Sequence, residues 1–136
     1  VTVQEVLNVM SEKGLRITEQ RKTLAELFVN TTSQLTAKQV HSFLSQTYSG
    51  LSFDTVYRNL RVLTEMNVLE QFVFEDGMKF KLHCSSEEHH HHLICLQCEK
   101  TFPLHYCPME EVKHLSHDFE PVKHKFEVFG YCKDCK

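Results

Sequence analysis

Through the first 65 residues, apolar side chains recur at helical spacing. Val3, Val6, Leu7 and Met10 follow the stripe of an amphipathic helix, and Gly14 stands where such a helix ends. Thr18 is placed to cap a second helix carrying Leu24, Leu27 and Phe28, and Thr36 with Gln39 reads as a capping box for a third carrying Val40, Phe43 and Leu44. Gly50 and Ser52 punctuate the chain before a fourth helix. Phe53, Val56, Leu60 and Leu63 fall on one of its faces, and Thr55, Arg58, Asn59 and Arg61 on the other.

From Val68 the period changes to two. LEQFVF, EDGM and KFKLHC predict two strands around an Asp-Gly turn. Helices followed by a hairpin suggest a winged helix-turn-helix, with a helical bundle carrying a packed hairpin as the alternative. The polar SSEE at 85–88 marks the boundary, giving domains 1–84 and 85–136. Beyond it, HHHHLICL and KTFPL bracket a tight turn at Cys95-Leu96-Gln97-Cys98. Pro108 opens a short helix with Met109, Val112 and Leu115, and HKFEVFGYC alternates like a strand. The predicted class is α+β: a winged-helix domain, then a small α/β domain. About 50 residues bury little core alone, so the second domain needs a metal, a partner subunit or both.

Composition narrows the function. With 136 residues, 41% hydrophobic and 24% charged, the chain suits a folded globule and is too short for a barrel enzyme or a doubly wound dehydrogenase. No apolar run approaches the roughly 18 residues a bilayer crossing needs, and Glu5, Glu12 and Lys13 interrupt the region where a signal peptide would be apolar. A cytoplasmic protein without a membrane partner is expected. Six Cys and ten His then stand out, because paired cysteines in a reducing compartment hold metal or do redox work more often than they form disulfides. The net charge of −3 hides an asymmetry: seven Lys and Arg against five acids up to Thr64, six against nine from Ser85 onward. Only the first half favours phosphate.

Cys95-x-x-Cys98 and Cys132-x-x-Cys135 carry the strongest chemical signal. Two such knuckles supply four thiolates, a closed tetrahedral set that suits structural zinc, although 33 residues separate the pairs. Redox pairs or structural thiols are the alternative. In the run His89, His90, His91, His92, alternate side chains of a strand face opposite ways, so His90 and His92 can serve one site and His89 and His91 another. An exposed polar strand is the plainer reading. Cys84, Glu70, Glu110 and His124 supply further potential ligands.

LSFDTVYRNL, HHHHLICLQC and the second Cys-x-x-Cys together resemble the ferric uptake regulator family of bacterial metal-responsive repressors, across essentially the whole chain. Cys84 before the His run and CPM at 107–109 are most similar to the zinc uptake regulators of Gram-positive bacteria. The resemblance implies an N-terminal winged-helix DNA-binding domain and a C-terminal dimerisation domain. It assigns structural zinc to Cys95, Cys98, Cys132 and Cys135, and regulatory zinc near the hinge to Cys84, His90 and His92 with Glu70 as fourth ligand. A further metal site maps to His89, His91, Glu110 and His124.

The iron-sensing pattern has a His where this chain has Gln34, and a carboxylate where it has His83 and Cys84. Both departures argue against iron, since a thiolate with imidazoles suits zinc and ferrous sites lean on oxygen and nitrogen. The resemblance also places the fourth helix in the major groove. Tyr57, Arg58, Arg61 and Thr55 then become DNA contacts, and Arg21 and Lys22 positioning contacts to phosphate. A surface Arg58 and a half-buried Tyr57 are the plainer reading there, and a structural or incidental thiol that of Cys107.

No His-x-Glu with Pro-Cys-x-x-Cys, Gly-rich phosphate loop or His-Glu-x-x-His motif is present, so neither catalysis nor a small organic substrate is expected. The expected function is a zinc-responsive repressor of zinc uptake genes that binds double-stranded operator DNA as a homodimer. An iron- or peroxide-sensing repressor of the same family is the alternative.

Overall fold

The computed structural model describes residues 2–31, 33–83, 89–112, 114 and 117–136. Two compact units are present, Val1–Cys84 and Ser85–Lys136. The first runs α1 (Val3–Glu12), α2 (Glu19–Val29), β1 (Leu35–Thr36), α3 (Ala37–Ser45), α4 (Phe53–Glu65), β2 (Leu69–Phe74) and β3 (Gly77–Leu82). Every helix of this unit begins at a hydroxyl. The side chains of Thr2, Thr18, Thr36 and Ser52 accept from the backbone N–H of Glu5, Arg21, Gln39 and Thr55. At Thr36 the Gln39 side chain returns the bond, which completes the capping box. Each such cap contributes about 1 kcal/mol.

Helix ends are equally local. Gly14 takes φ +83°, and the Leu15 N–H reaches the Met10 carbonyl at 2.9 Å. Asn67, at φ 60°, does the same after α4, with Val68 N–H bonded to the Leu63 carbonyl at 2.9 Å. Both are left-handed helix stops of the kind that Gly and Asn tolerate.

Met10, Leu24, Phe28, Val40, Leu44, Val56, Leu60, Leu63 and Phe80 bury together in one core. Two apolar positions of the expected stripes stay out of it. Phe43 lies at the edge of the α3 stripe, and Phe53 opens α4 one turn before Val56, its first core position; both are exposed.

The sheet of this unit has the order β1-β3-β2, both pairings antiparallel. Its hairpin differs from the sequence expectation. Phe74 pairs with Gly77, so Glu75 and Asp76 form the turn and Gly77 opens β3 at φ +129°. Neither turn residue has positive φ, and the glycine beside them takes the backbone conformation that L side chains rarely adopt. β1 was not expected, because two residues carry no alternation to read.

The second unit holds β4 (His91–Cys95), β5 (Thr101–Leu104), α5 (Met109–Val112) and β6 (Glu127–Gly130). β4 lies centrally, antiparallel to β5 and parallel to β6. Leu115, expected on the short helix, lies outside the described residues. Among the described residues of this unit only Ile94 and Cys95 are buried apolar side chains, joined by His91. A core this small cannot offset the chain entropy of some 50 residues. No helix among the described residues is long and apolar enough to cross a membrane.

Candidate metal centres and nucleic-acid interface

Cys95 ends β4, and the chain turns back at once: Glu99 N–H donates to the Cys95 carbonyl, Cys95 N–H to the Lys100 carbonyl, each at 3.0 Å, and Glu99 takes φ 63°. A second turn forms where the N–H groups of Cys135 and Lys136 both donate to the Cys132 carbonyl. Leu96 N–H to the Gly130 carbonyl, 2.8 Å, extends the parallel ladder and brings the two turns together.

The four sulfurs of Cys95, Cys98, Cys132 and Cys135 lie within 4.8 Å of one another, with Cys98 and Cys132 at 3.8 Å. A tetrahedron with zinc–sulfur bonds of about 2.3 Å has edges of about 3.8 Å, so the set fits that ion. Cys132 N–H donates to the Cys95 sulfur at 3.5 Å and, with further backbone bonds, draws that thiol down to about 6. The Cys135 thiol is pushed up to about 12, first by its hydrogen bond with the Cys132 side chain and then by burial. A metal here displaces the Cys135 proton, so binding tightens as pH rises.

A second convergence lies in the same unit. His89 and His91 are two apart and turn to one side, where His124 and Cys107 meet them; all four ligand atoms lie within 4.8 Å of one another. The Nε2 atoms of His89 and His91 are 3.1 Å apart, those of His89 and His124 3.0 Å, and those of His91 and His124 3.2 Å. The Cys107 sulfur is 3.2 Å from His124 Nε2. Burial, then the neighbouring His89 and His124, lowers the His91 pKa, which keeps its ring neutral and its lone pair available at neutral pH. Glu110, the ligand expected from sequence, is not in this group. It sits exposed on the first turn of α5, whereas Cys107, just before that helix, is half-buried. No spacing in the sequence signals Cys107; only the fold brings it to the three imidazoles.

Of the residues assigned to regulation, Glu70 lies on β2, half-buried, with His83 Nε2 3.7 Å from its carboxylate. His90 and His92 present rings 5.0 Å apart, and the His105 ring, not anticipated, is 5.8 Å from that of His90. Cys84 lies outside the described residues.

On α4, Thr55 and Tyr57 are partly exposed and Arg58 and Arg61 exposed. Arg58 is held by Asp54 one turn earlier, at 2.7 Å, and Arg61 reaches Glu65 at 3.9 Å. Arg21 does more than face solvent: it donates to the Arg16 carbonyl at 2.8 Å and to Asn59 at 3.4 Å, tying the start of α2 to α4. Lys22 is exposed and lies 3.5 Å from Glu19. Arg16, Thr18, Glu19, Arg21 and Asn59 line one open cleft beside α4, in which two arginines outnumber one carboxylate.

Residues 12–129 match the family model described as the ferric uptake regulator family. The ferric uptake regulation protein of Staphylococcus aureus is 33% identical over 136 residues, covering all of this chain and 99% of that protein. Among solved structures, the Helicobacter pylori ferric uptake regulator, described as having three functional metal binding sites, aligns with a TM-score of 0.63 at 22% identity, over 99% of this chain and 94% of its own. A zinc-bound manganese uptake regulator aligns at 0.56 and 24% identity, over 93% and 98%.

Proposed function

Since the chain belongs to the ferric uptake regulator family of metalloregulators, we propose that it is a zinc-responsive repressor, binding operator DNA as a homodimer with zinc as co-repressor. The observation that carries the metal is the ligand chemistry. The residues that the resemblance assigns to regulation, Glu70, Cys84, His90 and His92, include a thiolate, and the position where iron sensors carry a His is Gln34, here buried. A thiolate with two imidazoles favours zinc over ferrous iron. Bound there, zinc supplies a differential affinity for the DNA-binding conformation, which is all a co-repressor requires.

Homodimerisation is supported by the second unit. Leu93, Phe102 and Val128 are cross-strand neighbours on one face of its sheet, and all three are about two-fifths exposed. Such a row, on a unit with so little core, suits burial against a second copy. DNA binding is supported by the exposed Arg58 and Arg61 of α4 and by Arg16 and Arg21 in the cleft beside it. Regulation of zinc uptake genes is the physiological reading of zinc as co-repressor. The name of the staphylococcal relative favours a second reading, an iron sensor on the same fold.

The deciding experiment selects duplexes from a random-sequence pool with zinc-loaded protein and titrates them at buffered free zinc, then anaerobically with ferrous iron and with manganese. Zinc is expected to drive binding at a lower free concentration than ferrous iron or manganese. A response to ferrous iron at lower free metal than to zinc rejects the zinc assignment.

The same assay tests α4. Arg58→Ala is expected to weaken binding by about 1 to 3 kcal/mol at fixed salt, with zinc content and dimerisation unchanged. The loss should fall toward the lower end, because in the free protein the Arg58 guanidinium already pairs with Asp54. Unaltered affinity removes Arg58 from the contact set.

A further inference from the structure

We propose that at the further metal site which the resemblance implies within the Ser85–Lys136 unit, the Cys107 thiolate replaces the Glu110 carboxylate as the fourth ligand beside His89, His91 and His124, and makes the site selective for zinc. The three Nε2 atoms form a triangle with sides of 3.0 to 3.2 Å. Each neutral imidazole has one lone pair and one N–H, so a closed triangle of Nε2 atoms is poorly served by shared protons. One cation satisfies all three lone pairs together.

Tetrahedral zinc–nitrogen bonds of about 2.0 to 2.1 Å imply nitrogen separations of about 3.3 to 3.4 Å, close to those found. Cys107 approaches the triangle through His124, 3.2 Å away. Glu110 is exposed on α5 and outside the cluster. Side-chain support is already present, since the Phe126 ring packs edge-on to His91 at 5.6 Å and fixes the plane of that imidazole.

The exchange of carboxylate for thiolate matters chemically. Three imidazoles and a carboxylate accept manganese, iron or zinc with little discrimination, whereas three imidazoles and a thiolate favour zinc. This inference does not depend on which metal acts as co-repressor; it would hold equally for an iron sensor.

Cobalt(II) is the probe, because a bound thiolate gives a near-ultraviolet charge-transfer band and imidazole or carboxylate does not. The parent is the full chain carrying Cys84→Ser, reduced and with its four-thiolate zinc retained. Of the six cysteines, this leaves Cys107 as the one thiol outside the two knuckles. One equivalent of cobalt should produce the band in the parent. Cys107→Ser should abolish it and weaken zinc binding at this site by at least about 10-fold in chelator competition. Glu110→Gln should leave both unchanged.

His124→Gln in the same parent should weaken cobalt binding at least as much, so the decision does not hang on one variant folding. Zinc content is followed throughout to verify that the knuckles keep their ion. Absence of the band in the parent, its persistence after Cys107→Ser, or its loss on Glu110→Gln overturns the proposal.

Discussion

Cys98→Ser is expected to strip the four-thiolate zinc and unfold residues 85–136, while the winged unit stays folded. Three sulfurs cannot close the site, and the remaining support is slight: Ile94 and Cys95 are the buried apolar side chains among the described residues of that unit. Zinc binding to a structural thiolate site of this kind contributes on the order of 10 kcal/mol, more than so small a sheet can replace. The first unit keeps its own core of Leu24, Val40, Leu60 and their neighbours, so helical circular dichroism should largely survive. Metal content, sedimentation and amide exchange across β4 and β6 are the measurements. A variant that remains dimeric with unchanged zinc would contradict the structural role.

The second large effect is expected from Cys84→Ser, which removes the softest ligand assigned to regulation. Zinc should remain in the knuckles and the dimer should persist, yet operator binding should no longer strengthen with free zinc. Coupling of about 1 to 3 kcal/mol between metal and DNA corresponds to roughly 5- to 150-fold in affinity, and that gain should vanish. Linkage requires that operator DNA also cease to tighten zinc binding. A zinc-buffered titration of variant against wild type reads both. A normal zinc response in the variant removes Cys84 from regulation and withdraws the chief chemical reason for preferring zinc to iron.

The legible parts of this molecule are those whose cause is local. A helix such as α4 announces itself by the spacing of Val56, Leu60 and Leu63 and by Ser52 at its start; the three apolar side chains are buried and Ser52 caps the helix. The hairpin strands were legible for the same reason, but their turn was not. Asp76-Gly77 reads as the central pair, whereas the pairing of Phe74 with Gly77 moves the turn back by one residue, a choice made by strand register.

Pairing between distant strands left still less trace. The alternation around Glu127–Gly130 identified a strand without revealing that it runs parallel to β4. The knuckle cysteines were legible because a fixed spacing encodes them. Cys107 was not, since its three imidazole neighbours come from segments 16 to 18 positions away on either side, and only the fold brings them to one point.

The parallel pairing of β4 and β6 has a further consequence. His91 and Cys95 stand at the two ends of β4, about 13 Å apart along the strand, while His124 precedes β6 and Cys132 follows it. Each end of the pair therefore leads into a different ligand cluster. If β6 slid along β4 by one residue, His124 and Cys132 would both be carried about 3.3 Å in the same direction, and both clusters would lose their geometry together. A mispaired chain could complete neither. Metal capture at either end would thus proofread the alignment of the whole strand pair, and a chain that took up one ion in correct register would present the other cluster already assembled.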